Sequence, residues 1–314
     1  MIKTPLIIDT DPGVDDTIAI LMCLAHPNLD VKAITTVGGN TSVEKTGKNA
    51  LKITELAKMT PKVVKGAQNP LISVLTTAEE IHADDGMGGI GLPEPKSHFY
   101  EKDAADTIYE EAMAANGKLK ILAIAPQTNI ATALLKYPIL KEKIDTIVFM
   151  GGTTIGGNVT LGAEFNAYVD PEALKIVLNS GINCVMVGLN VTHETVVTSE
   201  QNEVLKRYNS PQAKVITTLI DYVNNHEWTR HFEGAVMHDP LAASVLMDPN
   251  VINTKHYYVD VELKGELTRG ATVVDFYNKT GKKPNVHVAL SSDNNRFIEI
   301  LDDMLKVYED RITT

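Results

Sequence analysis

Four carboxylates fall within the stretch Asp9-Thr10-Asp11-Pro12-Gly13-Val14-Asp15-Asp16, with Pro12-Gly13 forcing a turn between the two pairs. Like charges packed this densely repel and shift one another's protonation unless a cation sits among them. An all-oxygen donor set suits a hard divalent ion, calcium or magnesium, rather than zinc. Helix capping accounts for one or two of these acids, Asp15 or Asp16, but not for four. An EF-hand loop starting at Asp9 needs Gly at its sixth position and Glu at its twelfth. The chain has Val14 and Ile20 there. Asp9-Thr10-Asp11 behind a strand also fits an aspartyl phosphatase, whose first Asp attacks phosphorus, although Asp15-Asp16 lie where that pattern places no acids.

A second candidate is Val236-Met237-His238-Asp239-Pro240-Leu241, at the head of the apolar run Leu241–Leu246. Alone, Asp239 reads as a helix cap and His238 as a surface residue. Beside a metal-seeking loop, Asp239 becomes a third carboxylate and His238 a group suited to proton transfer near neutral pH. A third is the Gly-rich turn Gly151–Asn158, followed by Glu164-Phe165-Asn166 and Asp170-Pro171-Glu172-Ala173. It has no neighbouring Lys or Arg to hold an anion. Asn158, Glu164 and Asn166, with Asn40 behind Gly38-Gly39, offer the hydrogen bonds of hydroxyl recognition. The fourth is Ile81-His82-Ala83-Asp84-Asp85-Gly86-Met87-Gly88-Gly89, a loop rich in glycine and expected to move. His82 is either an exposed loop residue or a lid residue that touches substrate.

The elements that must position these groups alternate between apolar β-rich runs and helical patterns. Leu6–Ile8, Val31–Val37, Leu119–Ala125, Thr146–Met150 and Asn183–Val187 read as strands. Asp16–Ala25, with Ile18, Ala19, Leu21, Met22 and Ala25 on its apolar side, reads as a helix stopped by Pro27. Helices are also expected from Ser42 to about Lys58, over Thr128–Leu135, Pro171–Ser180 and Asp293–Tyr308, and from Ser199 to Ala243. Tyr257–Leu263, Ala271–Phe276 and Val286–Leu290 read as late strands, hairpin-like around Gly265 and Gly281. Repeated strand–loop–helix units imply an α/β fold, a mostly parallel open sheet with helices on both faces. Ligands of such sheets bind outside the carboxyl ends of the strands. Asp11, Asn40, Ile124–Thr128, Gly151–Asn158 and Asn190 all follow strands.

Composition bounds the partners. The chain has 314 residues, 44% hydrophobic and 22% charged, with a net charge of −11. That balance disfavours a nucleic-acid polymer or an anionic membrane as partner, and leaves room for a small neutral ligand. Neither a signal peptide nor a bilayer-spanning run is visible. Cys23 and Cys184 lie in apolar segments and read as buried free thiols of a reducing cytosol.

Taken in order, these four sites resemble the inosine–uridine-preferring nucleoside hydrolases, and the likeness runs nearly end to end. Asp9-Thr10-Asp11-Pro12-Gly13-Val14-Asp15-Asp16 is its most specific part. Gly265-Glu266-Leu267-Thr268-Arg269-Gly270-Ala271-Thr272-Val273-Val274-Asp275 looks most like the bacterial members with broad purine and pyrimidine specificity. The resemblance implies calcium-dependent hydrolysis of ribonucleosides to ribose and free base. It implies a single cytoplasmic catalytic domain over residues 1–314, acting as a homo-oligomer, either dimer or tetramer. Asp11, Asp16 and Asp239 would ligate one calcium ion, with the main-chain carbonyl of Ile124. The ribose 2′- and 3′-hydroxyls and a water would complete the shell, and Asp11 would take a proton from that water. Asp15, Asn40, Glu164 and Asn166 would bind ribose hydroxyls, with Asn158 on the 5′ side and Asp9 orienting the loop. His238, His82 and the helix near Tyr222 and His226 would face the base. The chain departs from the family at Ala125-Pro126-Gln127-Thr128-Asn129, where Gly-Pro-Leu-Thr-Asn is common, and at His82-Ala83-Asp84, where His-Gly-Glu is usual. Ala83 is less permissive than Gly, so the lid's motion is expected to differ. A metal-dependent phosphohydrolase and a calcium-dependent nucleoside- or ribose-binding protein are the alternatives.

Overall fold

Leu6, Ile7 and Ile8 are all fully buried, because the strand they form is covered on both faces. Leu6 and Ile8 join one core while Ile7 joins the other, the alternation expected of a central strand. The computed structural model describes residues 3–83 and 85–313. Asp84 of the expected lid and the side chain of Trp228 lie outside the described residues.

The strands are β1 Thr4–Thr10, β2 Leu29–Thr36, β3 Lys62–Lys65, β4 Leu119–Ala123, β5 Ile144–Met150, β6 Asn183–Val187, β7 Val196–Val197, β8 Ala235–Val236, β9 Ile252–Tyr257, β10 Val259–Val261, β11 Thr272–Val274 and β12 Val286–Ser292. Eight of them form one sheet in the order β3-β2-β1-β4-β5-β6-β12-β9. Every neighbouring pair is parallel except β12 with the edge strand β9. From β1 the chain first builds outward through β2 and β3, then crosses back to β4 on the other side. The strand order therefore reverses between β1 and β4, and the crevice at their carboxyl ends is where such sheets bind ligands.

The Val14–Ala25 helix is buried on all sides. The sequence predicts one apolar side, but Val14, Ile20, Cys23 and Leu24 are also covered. A helix apolar all round belongs inside a core. Here it lies against β2 and is enclosed by the helices Pro211–Asn225, His238–Met247 and Asn294–Thr313. The Tyr308 hydroxyl donates to the Leu21 carbonyl at 2.7 Å, which ties the C-terminal helix to this buried one.

Several expectations are corrected. Within Tyr257–Leu263, only the last residue of β9 and the three residues of β10 are strand. The hairpin around Gly265 exists as β10 with β11, but no hairpin forms around Gly281, because β12 inserts between β6 and β9. Ser199–Ala243 is not one helical stretch. It breaks after Leu205 and again after Asn225, and Ala235–Val236 returns to pair with Val196–Val197. Strand β3 and the helix Ala104–Ala115 have no counterpart in the sequence reading. Both cysteines are free and buried, as the sequence suggests.

Candidate active site

The acidic loop leaves β1 and turns at once into the Val14–Ala25 helix, so its carboxylates are held by the start of a buried element. Asp16, in the first turn, reaches back to the Gly13 that begins the helix. Its Oδ2 accepts from the Gly13 amide at 2.9 Å, and its Oδ1 accepts from the Thr10 hydroxyl at 2.5 Å. Asp15, one position earlier, faces the cavity instead. Asp11 Oδ2 accepts from the Asn40 amide at 2.6 Å, so the β1 and β2 loops are stitched together. The Asn40 side chain donates to the Asp11 carbonyl at 3.1 Å and to Asp16 Oδ2 at 2.9 Å. A Cβ at position 39 would lie 1.9 Å from Asp11 Oδ2, so only glycine fits there. Asp9 lies deeper. Its Oδ1 accepts from Thr35 at 2.5 Å and from the Asn129 side chain at 2.8 Å, and Ile124 N donates to its carbonyl at 2.8 Å.

Asp239 arrives from the far end of the chain, in the first turn of the His238–Met247 helix. Oxygens of Asp15, Asp16 and Asp239 lie within 4.8 Å of one another. Asp11 is not in that closest group, but Asp11 Oδ1 is fully buried with no hydrogen-bond partner among the described residues. Burial, reinforced by the Asp16 charge, pushes the Asp11 carboxyl well above the usual carboxylate range. Burial, with Asp15, Asp16, Asp11 and Glu164 adding to it, does the same to Asp239. Asp16 is raised to about 7 by burial and by Asp15, and Asp9 to about 7 by burial. So many carboxyls raised first by burial and then, at Asp11, Asp16 and Asp239, by one another's charge form a site that a hard divalent cation would complete.

Above this floor is a cavity of about 430 Å³, within the range of small-molecule sites. Asp15, Asn40, Asn158, Glu164 and Asn166 line it, as do Ile124 and Asp239. Glu164 caps the Phe165–Val169 helix, accepting from the amides of Asn166 at 2.9 Å and Ala167 at 3.1 Å, and from Gly152 at 2.9 Å. Burial raises its carboxyl to about 7. Asn158 accepts from the Phe165 amide at 3.0 Å, and Asn166 donates to the Met150 carbonyl at 3.2 Å. Asp170 faces away from the cavity. It caps the Pro171–Leu178 helix and accepts from the Thr128 hydroxyl at 2.7 Å.

The opposite wall carries His82, Tyr222 and His238. His82 is no exposed loop residue: it is buried, and its Nδ1 accepts from the Val14 amide at 3.1 Å. Its neighbour Ala83 holds φ 62°, a left-handed backbone that costs a residue with a Cβ about 1 kcal/mol or more. The Tyr222 hydroxyl donates to the Ile81 carbonyl at 3.0 Å and so pins the lid segment to the Pro211–Asn225 helix. His226 does not line the cavity; its ring lies 5.6 Å behind that of Tyr222. Burial lowers the pKa of both His82 and His238.

Sequence reasoning missed His193, His231 and Phe232, which also line the cavity. The His193 ring lies 4.9 Å from Phe232 and 5.7 Å from His238, and burial, then His238 and His231, lower its pKa to about 4. A signal for His193 was present. The strand-end rule that singles out Asn190 covers the same turn after β6. His231 and Phe232 sit in an irregular segment with no periodicity to flag them.

Comparison with known proteins agrees with this arrangement. The family model described as inosine-uridine preferring nucleoside hydrolase matches residues 6–299. A pyrimidine-specific ribonucleoside hydrolase, RihA, from Escherichia coli O1:K1 / APEC is 40% identical over 309 residues, covering 97% of this chain and 99% of its own length. The solved structure of a purine-preferring ribonucleoside hydrolase from Gardnerella vaginalis superposes with a TM-score of 0.91 at 33% identity, over 98% of this chain and 99% of that one. An inosine-guanosine nucleoside hydrolase gives 0.89 at 30% identity, over 97% and 99%. Matched this fully by a family model and by relatives of such identity, the chain belongs to the inosine–uridine-preferring nucleoside hydrolases and is a ribonucleoside N-glycosidase.

Proposed function

We propose that this enzyme hydrolyses both purine and pyrimidine ribonucleosides and that it depends on one calcium ion. Family membership sets aside the phosphohydrolase and pure-binding alternatives. The observation that carries the calcium reading is the convergence of Asp15, Asp16 and Asp239 oxygens within 4.8 Å, together with a buried Asp11 Oδ1 that has no hydrogen-bond partner among the described residues. Asp11, Asp16 and Asp239 would hold the ion, with the Ile124 carbonyl, and Asp15 lies close enough to share the duty. When bound, calcium lowers the pKa of the attacking water and grips the ribose 2′- and 3′-hydroxyls.

The residues of the chain do the rest. Asp11 takes the proton of the water that attacks C1′. Asp15, Asn40, Glu164 and Asn166 hold the ribose hydroxyls, and Asn158 holds the 5′ side. The N-glycosidic electron pair leaves on the base, and the ribose becomes oxocarbenium-like. Fixed carboxylates and amides around the sugar favour that positive charge. His238 and His82 face the base and hydrogen-bond it as negative charge develops there. Relatives whose names specify pyrimidine and purine substrates both resemble the chain over nearly its whole length, which supports a broad base range. No helix among the described residues is long and apolar enough to cross a membrane. We place the enzyme in the cytoplasm, as one catalytic domain in each copy of a homodimer or homotetramer.

The test is release of free base from inosine, adenosine, guanosine, uridine, cytidine and a 2′-deoxynucleoside, with calcium and after chelation. Ribonucleosides of both base classes should react with calcium alone, and the deoxy compound poorly, for want of one gripped hydroxyl. Full turnover after chelation would contradict the calcium reading, and inertness toward one base class would contradict the broad one.

A further inference from the structure

Each of the two histidines of the base wall is held at Nδ1 by a neighbouring group. For His82 that group is the Val14 amide, at 3.1 Å. A backbone N–H can only donate, so His82 Nδ1 must accept, and the neutral ring then carries its proton on Nε2. For His238 the group is the Thr192 hydroxyl, at 2.8 Å. A hydroxyl can donate or accept, so distance alone leaves the tautomer open. Burial decides it. Thr192 is fully buried, and among the described residues its hydroxyl has no other hydrogen-bond partner. A buried hydroxyl proton left without an acceptor is costly, and His238 Nδ1 is the acceptor at hand.

We infer that Thr192 donates its hydroxyl proton to His238 Nδ1 and thereby fixes the ring with its own proton on Nε2, the form that gives a hydrogen bond to the departing base. Thr192 is a positioning residue, acting through His238, and the inference rests on the reading that His238 faces the base. It makes the two rings equivalent donors, one set by a backbone amide and one by a side chain. Thr192 closes the short Leu189–Thr192 helix after β6, so its hydroxyl is placed by a strand end of the main sheet rather than by the wall it serves.

The test compares turnover of uridine and inosine with turnover of 4-nitrophenyl riboside, whose nitrophenolate leaves without help from a donor. In Thr192→Val the ratio of nucleoside to nitrophenyl turnover should fall about tenfold, the scale of one lost hydrogen bond. Thr192→Ser should restore it. Side-chain ¹⁵N spectra of the native enzyme should place the His238 proton on Nε2, and those of Thr192→Val should show both tautomers. A native ratio in His238→Ala would remove the underlying reading of His238. A depressed ratio in His238→Ala beside a native one in Thr192→Val would overturn the role of Thr192 alone. A native spectrum with the proton on Nδ1 would also overturn it, and that measurement decides the matter even if Thr192→Val fails to fold.

Discussion

The floor and the base wall of the cavity are built on different principles. The floor hangs from strand ends. Asp9 lies at the end of β1, Asp11 follows it, Asn40 follows β2 and Ile124 follows β4, with hydrogen bonds of 2.5–3.1 Å joining Asp11 to Asn40 and Asp9 to Thr35 and Ile124. The wall draws more on connecting segments, His82 from the lid and His231 and Phe232 from the stretch before β8, with Tyr222 and His238 from the ends of two helices. A floor overdetermined in this way suits chemistry that must not move, while a wall on loops can vary with the base it meets. Damage to the floor should therefore cost catalysis, and damage to the wall should cost less and depend on the base.

The largest effect expected is loss of turnover on chelation, restored by calcium. Asp11→Ala comes next, with kcat for uridine and inosine falling by roughly 10⁴-fold, the upper end of what one positioned base contributes. His238→Ala should cost roughly 10²-fold, the lower end for a donor to a leaving group, measured by base release. An Asp11→Ala enzyme that outperforms His238→Ala would erase the contrast between floor and wall. Tyr222→Phe frees the lid from its Ile81 tether and should change KM more than kcat, by about fivefold, as one neutral hydrogen bond warrants. Equal losses in kcat and kcat/KM would mean that the tether acts in the transition state.

A stability measurement sharpens the same contrast through pH. Asp9 and Asp16 are raised from an ordinary value of 3.8 to about 7 in the folded, cation-free protein. Between those values the folded chain holds protons that the unfolded chain has released. Cation-free stability should therefore fall as pH rises from about 4 to about 7 and stay low above it. Calcium replaces those protons, so its addition should raise Tm more at pH 8 than at pH 5. A calcium effect on Tm that is equal at both would separate the ion from these carboxyls.

The same division governs how much the sequence revealed. The floor was legible because four acids behind a strand have no cheap structural explanation, and because the strand-end rule gathers Asn40 and Ile124 beside them. Asp239 was legible only beside the acidic loop, since a lone Asp opening a helix is an ordinary cap. The wall was harder. Whether His82 was buried depended on how the lid folds back onto Val14, a contact across 68 positions. His231 and Phe232 lie where no periodicity runs, and His226 was expected at the base but sits behind Tyr222. In the fold, the parallel core strands read clearly as apolar runs. Edge strand β9 did not, because Asn253, Thr254, Lys255 and His256 are exposed and carry no apolar alternation.

The central claim is that carboxylates from both ends of the chain share one hard cation. Calorimetric titration of calcium into the chelator-stripped enzyme, native and Asp239→Asn, tests it most directly. One site per chain in the native protein, with affinity lost in Asp239→Asn, is the predicted result. The same affinity in both, or no binding to the native chain, would contradict it.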